Sequence, residues 1–291
     1  MVFYFLMTGI FVGLYYALVG IGLNLVFGVM RIVNLAHGDF IMLGAIIFSI
    51  LYASLGLNIY VAIFIFLPLF FILGFILYYL LIPRVLKADD PEMLSIILFF
   101  GFSQVIESLT IMIAGPTARS VSSDAISVGS LHLMGFSFPG SWILSAISSA
   151  VVIAAVLIYL YFTKTGLLTR ALMSSHDEAT ATGINVNRVS AIAFGVGIAA
   201  ASVAGIFTPF MIGSIAPATG LDLTIQAFTI IIIGALGSPI GTILGGLILG
   251  ISLMFMQTYF SSWAQLMPYV LLILILLIKP TGLLGKEVRN A

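Results

Sequence analysis

Long apolar runs separated by short polar stretches dominate the chain. They fall at roughly 3–28, 37–55, 58–82, 94–114, 141–163, 189–213, 222–236, 241–260 and 264–279. Most approach the roughly 20 residues that a helix needs to cross the hydrocarbon core of a bilayer. Nine crossings are predicted, within a range of eight to ten. The count falls to eight if 222–236 is a half-helix. Runs such as Leu266–Ile278 are continuously apolar. The strands of a membrane β-barrel alternate apolar and polar residues, so that architecture is excluded. The expected fold class is an all-α polytopic membrane protein that includes broken half-helices.

Composition sharpens this. Of 291 residues, 62% are hydrophobic and 7% charged, and the mean hydropathy is +1.28. A soluble domain carries about 25% charged residues. Too few charges remain here to cover a soluble surface, which excludes a cytosolic enzyme and a disordered chain. Ten basic residues balance ten acidic ones, so there is no basic field for nucleic acid. Cysteine is absent, which removes disulfide and thiolate chemistry. The start, Met1 to Leu6, lacks a positive region, so the first run is expected to be a retained span.

The charges predict an orientation, because Lys and Arg accumulate in short cytoplasmic loops. Arg84 and Lys87, then Lys164, Arg170 and Arg188, then Lys279, Lys286 and Arg289 fall on one side of a nine-crossing chain. That side is expected to be cytoplasmic, with the N-terminus outside and the C-terminus inside. The 164–188 loop is then cytoplasmic. The 115–140 loop is external and carries Arg119 alone among basic residues.

Three segments are irregular at membrane depth: Pro209 and Pro217 bracket a short Gly- and Ser-containing turn, and two others break the helical pattern in the two halves of the chain. One runs from Gly28 to Asp39 and the other from Gly234 to Gly241. Freed backbone groups survive there only if protein or a wet cavity satisfies them, and paired interruptions in two halves of a transporter point to its permeation site. Glycines also mark close helix packing. Gly9 and Gly13 are spaced for it, as are Gly241 with Gly245 and Gly246 with Gly250. The last four are expected near one face of their helix.

The polar residues within the breaks are candidate pathway groups: Asn24, Asn34, His37, Gly38, Asp39, Gly237 and Ser238. Ionisable residues at this depth usually face a cavity or one another. The competing reading is a cytoplasmic turn with Arg31 and Asp39 solvated and Asn34 capping the next helix. Glu107 stands alone towards the outer third of its span, as a proton or cation carrier or, more simply, as an interhelical bond. Asp222 reads as the acid that opens a helix. In the 164–188 loop, Leu168, Ala171, Leu172 and Ser175 share a helical face. Ser174 and Asp177 resemble a capping box for a second short helix, and Gly183 suits a left-handed helix end. No phosphate-binding GxxxxGK[ST] motif occurs. His37, His132 and His176 are too dispersed for a metal site, and no cofactor is called for.

Four ordered motifs carry a family resemblance. Gly22–Phe40, followed by Met42-Leu43-Gly44-Ala45, resembles the N-terminal signature of the branched-chain amino acid ABC permeases of the LivH type. Arg170-Ala171, Glu178-Ala179 and Gly183-Ile184-Asn185-Val186 resemble that family's coupling loop. Gly234–Gly241 with Gly245-Gly246, and the closing Lys279–Gly285, complete the match. The departures are Arg31, where glycine is common, and Lys279 in place of arginine. The resemblance implies a single transmembrane permease domain over 1–291 in a bacterial or archaeal inner membrane. It implies a second related permease, two cytoplasmic ATP-binding subunits and a periplasmic or lipid-anchored solute-binding protein, with ATP hydrolysed by the partners and not by this chain. The imported solute would be leucine, isoleucine or valine, with urea, short amides or another small solute as the alternative. Arg170, Asp177, Glu178, Ala179, Gly183, Ile184 and Asn185 would dock on the ATPase. From the residues alone, a proton-coupled transporter using Glu107 or His37, or a passive channel, remains open.

Overall fold

The computed structural model describes residues 2–122, 125–126 and 129–285. Lys286 and Arg289 of the expected cytoplasmic tail lie outside them. Among the described residues, eight segments are long and apolar enough to cross a membrane: α1 (Val2–Met30), α2 (His37–Leu55), α3 (Ile59–Val85), α4 (Pro91–Ala114), α5 (Gly140–Phe162), α8 (Val186–Ile212), α10 (Pro239–Tyr259), and a 3-10 turn Ser261–Leu266 continuing into α11 (Met267–Ile278). The chain is an all-α multi-pass membrane protein. Between α5 and α8 lie the short α6 (Lys164–Ser174) and α7 (His176–Ala181). The ninth apolar element, α9 (Thr219–Gly234), has 16 residues. At 1.5 Å per residue it reaches about 24 Å, short of the roughly 30 Å core. It still links the two ends of the bundle, from the turn at Ile215 paired with Arg119 to the 235–238 turn against Gly28, and is the shortest of nine passes among the described residues.

Local chemistry sets the helix ends. Gly56 takes a left-handed conformation after α2. Asn58, Asp90, Asn185 and Ser238 each accept a backbone N–H at the start of α3, α4, α8 and α10, supplying the acceptor that a helix start lacks. Pro91 and Pro239 then occupy first-turn positions, where the missing N–H costs nothing.

α1 and α8 form the buried centre, with most of their residues shielded from the surface. α10 packs along α1, α2 and α3 along α8, and α9 lies between α2 and α10. α4 and α11 sit at the periphery with long apolar faces exposed. One end of the bundle, the upper end here, gathers the start of α1 and the loop before α5. There Phe136 and Phe138 of a hairpin, β1 (Leu131–Leu133) and β2 (Phe136–Phe138), pack on Phe3 and Tyr4. Arg119 pairs with Ile215 of the α8–α9 turn at the same end. The lower end carries α6 and α7, the 235–238 turn and the closing segment, which meet around Gly28 and Ala235. Arg31, Arg84, Lys87, Lys164, Arg170, Arg188 and Lys279 belong to the segments of the lower end, and Arg119 to the upper.

All six packing glycines sit at close backbone approaches, but on two neighbours. A Cβ on Gly250 would lie 2.3 Å from the Gly13 nitrogen, and one on Gly246 would lie 2.4 Å from that of Ala17, both on α1. Gly241 and Gly245 instead press on Gly234 and Ile230 of α9. The expectation of one shared face is corrected: the two pairs let α10 sit tightly between two helices at once.

Candidate functional site

The two helix breaks meet in space. After α1 ends at Met30, Arg31 turns the chain with a φ of 53°. The following residues climb back into the bundle, so that His37 Nε2 donates to the Val19 carbonyl at 3.0 Å. Val19 lies about three turns, roughly 16 Å, above the end of α1. α2 therefore begins at membrane depth.

That re-entrant start locks onto α9. The Gly38 N–H donates to Thr224 Oγ1 at 2.9 Å, and that hydroxyl lies 3.0 Å from the Leu35 carbonyl as its donor. A Cβ on Gly38 would sit 2.0 Å from the Gly220 carbonyl, so only glycine allows this approach. Asp39 adjoins Gly220 and faces Ser103 and Glu107 of α4. Asn34 does not cap α2. Its Oδ1 accepts from the Ala36 N–H at 3.1 Å, and Ala36, the residue before the helix, makes no side-chain cap. A side-chain turn closed two residues on has replaced the cap because the segment is climbing rather than turning.

Lower in the bundle, Asn24 of α1 spans the second break. Its Nδ2 donates to the Ser238 carbonyl at 3.0 Å and to Thr242 Oγ1. Gly28 passes directly against Gly237. The closing segment seals the end of α9: the Leu283 and Leu284 N–H groups donate to the Ile233 and Gly234 carbonyls at 2.9 and 3.2 Å, partners that a helix C-terminus otherwise lacks. Asn24 Oδ1, Asn34 Nδ2, His37 Nδ1 and Asp39 Oδ2 are buried without a hydrogen-bond partner. The candidate pathway residues thus form two contacts of one interlocked joint, Asn24 with the 235–242 turn and His37–Asp39 with α1, α4 and α9. Each of Asn24, Asn34, His37 and Asp39 is at most 2% exposed.

α6 lies beneath this joint, with Met173 packed on Gly28. It is tied to α5 by Tyr159 Oη with Thr169 Oγ1 at 2.8 Å, by Arg170 Nε to the Leu160 carbonyl at 3.0 Å, and by the Arg170 guanidinium over the Tyr161 ring. α7 projects from it. Asp177, Glu178, Gly183 and Asn185 are exposed, while Ala179 is buried and Ile184 half-buried as anchors. The cap of α7 is Ser175, which accepts from Glu178 N–H, and not Ser174. α6 runs one residue further than the capping-box spacing implied. Gly183 has the expected left-handed conformation, with a φ of 80°.

At the upper end α9 starts three residues before Asp222, at Thr219. Asp222 stands in the first turn but does not open the helix, a correction that frees its carboxylate from the capping position. It borders a cavity of about 590 Å³ between α9, α10 and the start of α11. Tyr16, Thr219, Gln226, Gln257, Gln265 and Tyr269 are among its other polar neighbours. No sequence pattern pointed to this cavity, because its walls come from six separate helices and the 3-10 turn. None of the seven candidate pathway residues lines it.

A family model described as the permease component of branched-chain amino acid transport systems matches residues 5–276. The high-affinity branched-chain amino acid permease protein LivH of Escherichia coli (strain K12) is 29% identical, over 96% of this chain and 94% of its own. BraD of Pseudomonas aeruginosa, with the same description, is 28% identical over 97% and 95%. A probable LivH of Methanocaldococcus jannaschii is 27% identical over 93% and 88%. No solved structure matches significantly. Match and architecture run the length of the same bundle, and the chain belongs to the branched-chain amino acid transport permease family.

Proposed function

We propose that the chain is one permease subunit of an ATP-driven importer of leucine, isoleucine and valine in a cytoplasmic membrane. The observation that carries this reading is the near full-length match to permeases of that name, joined to an exposed two-helix projection seated under the helix breaks. With seven basic residues at the lower end against Arg119 at the upper, among the described residues, the lower end faces the cytoplasm. The N-terminus is outside and the C-terminus inside.

In this reading a solute-binding protein docks at the upper end, on the 115–140 loop. Two ATP-binding subunits engage α6–α7 through Arg170 to Asn185. A second, related permease completes the membrane portion. Closure of the ATPases displaces α6. Met173 transmits that shift to Gly28, and Gly28 passes it to Gly237, so the joint at Asn24, Asn34–Asp39 and Ser238 changes the relative tilt of α1, α2, α9 and α10. A rigid, interlocked joint suits that task, since packed contacts switch between arrangements and do not deform gradually.

The test is uptake by proteoliposomes containing all the subunits. Leucine uptake requires ATP inside and loaded binding protein outside. Uptake that persists with inactive ATPases and collapses with the proton gradient overturns the reading. Gly183→Pro removes the flexible exit of α7 and is expected to leave ATP hydrolysis running while uptake falls about tenfold or more. Unchanged uptake removes the docking role of α7.

A further inference from the structure

None of the joint's side chains lines the upper cavity, although Gly220 and Thr224 lie in the same first turns of α9, on a different face from Thr219 and Asp222, and the cavity has its own chemistry. Its volume, about 590 Å³, lies within the roughly 300–1,000 Å³ of small-ligand sites. Thr219, Asp222, Leu223 and Gln226 follow at i, i+3, i+4 and i+7, so α9 presents them on one face, and all four line the cavity. Among the described lining residues Asp222 is the one carboxylate, and none is Lys, Arg or His. Gln226 Oε1 is buried there without a partner. Gln257 from α10 and Gln265 from the 3-10 turn add amides, and Leu253 and Met254 add apolar wall.

One fixed negative charge, free amide donors and an apolar wall together suit a particular class of ligand. An anion is repelled by Asp222, and a neutral amide can donate N–H groups to it but brings no positive charge to balance it. A zwitterion with an apolar side chain satisfies every group: its ammonium pairs with the carboxylate, its carboxylate accepts from amide N–H groups, and its side chain covers the wall. We propose that this cavity is the station that receives the amino acid in the membrane, with Asp222 as the counter-charge of its ammonium, Gln257 and Gln265 as donors to its carboxylate, and Gln226 Oε1 as a second acceptor for the ammonium. The inference rests on the reading as an amino-acid importer. It places solute recognition on the α9 face that carries Asp222 and Gln226 and leaves the joint, which grips the face with Gly220 and Thr224, to move it.

Two measurements on the fully assembled transporter test it. At saturating loaded binding protein, Asp222→Asn is expected to lower leucine uptake about tenfold, the effect of losing a hydrogen bond to a charged group, and Asp222→Glu to restore most of it. This chain has no cysteine, so Ala264→Cys, at a lining position given no contact to the solute, places its one thiol in the cavity. Its labelling by an impermeant maleimide is expected to slow with leucine and to be unaffected by 4-methylpentanoate, which lacks the ammonium. Wild-type uptake in Asp222→Asn, or equal slowing by the two compounds, overturns the proposal alone. If the wild-type assembly takes up no leucine, the importer reading falls and the proposal with it.

Discussion

The joint and the upper cavity share α1, α9 and α10 and are built by opposite means. At the joint, backbone meets backbone. Glycines face glycines or carbonyls, Asn24 spans from α1 to the 235–242 turn, and the closing segment plugs the end of α9. At the cavity, α9 and α10 diverge, and the space between them is bordered by Met211, Met254 and three glutamines, side chains that adapt their shape. The difference assigns each end a tolerance. The joint depends on geometry and has no room for added atoms. The cavity depends on chemistry and has room.

The largest expected effect follows directly. Gly38→Ala places a methyl 2.0 Å from the Gly220 carbonyl, an obstacle of backbone that cannot rotate away. Thermal unfolding of the purified protein in detergent should show a loss of about 3 kcal/mol, the upper end of overpacking costs. A loss under about 1 kcal/mol would mean that α2 and α9 slide freely, and the joint would no longer differ in kind from the cavity.

Asn24→Ala is expected to cost less, about 1–2 kcal/mol. It removes the donor to Ser238 and Thr242 and leaves their acceptors buried, while hydrogen bonds between membrane helices are individually modest. The same unfolding assay reads it. A neutral result would place the strength of the joint entirely in its glycines.

How much of this the sequence discloses follows the same division. The apolar runs locate the helices to within about three residues, as 189–213 does for Val186–Ile212, because a buried helix has no other way to satisfy its backbone in lipid. The breaks at 28–39 and 234–241 are legible for the same reason. What the pattern does not reveal is depth. Asn34 in a climbing segment and Asn34 in a surface turn are the same residue in the same sequence, and only the contact between His37 and Val19 tells them apart. The hairpin at 131–138 had a readable signal, Met134-Gly135 between alternating apolar residues, that composition-led reading passes over. The cavity had none, since Asp222 acquires its meaning from residues more than thirty positions away on α10 and α11.

The smallest expected effect on stability tests the open end. Gln226 keeps an amide oxygen buried and unpartnered, an arrangement that costs stability unless something other than folding retains it. Gln226→Leu, which swaps that amide for an apolar side chain of similar reach, should therefore leave the unfolding free energy within about 0.5 kcal/mol of wild type or raise it. A glutamine needed for packing gives the opposite sign, with a loss of about 1 kcal/mol or more, and the cavity would then be held together by its polar wall as the joint is held by Asn24. Stability unchanged or improved, in the same preparation where Gly38→Ala unfolds early, would separate the two ends: one constrained by how closely its backbones meet, the other carrying a polar group that the fold does not need.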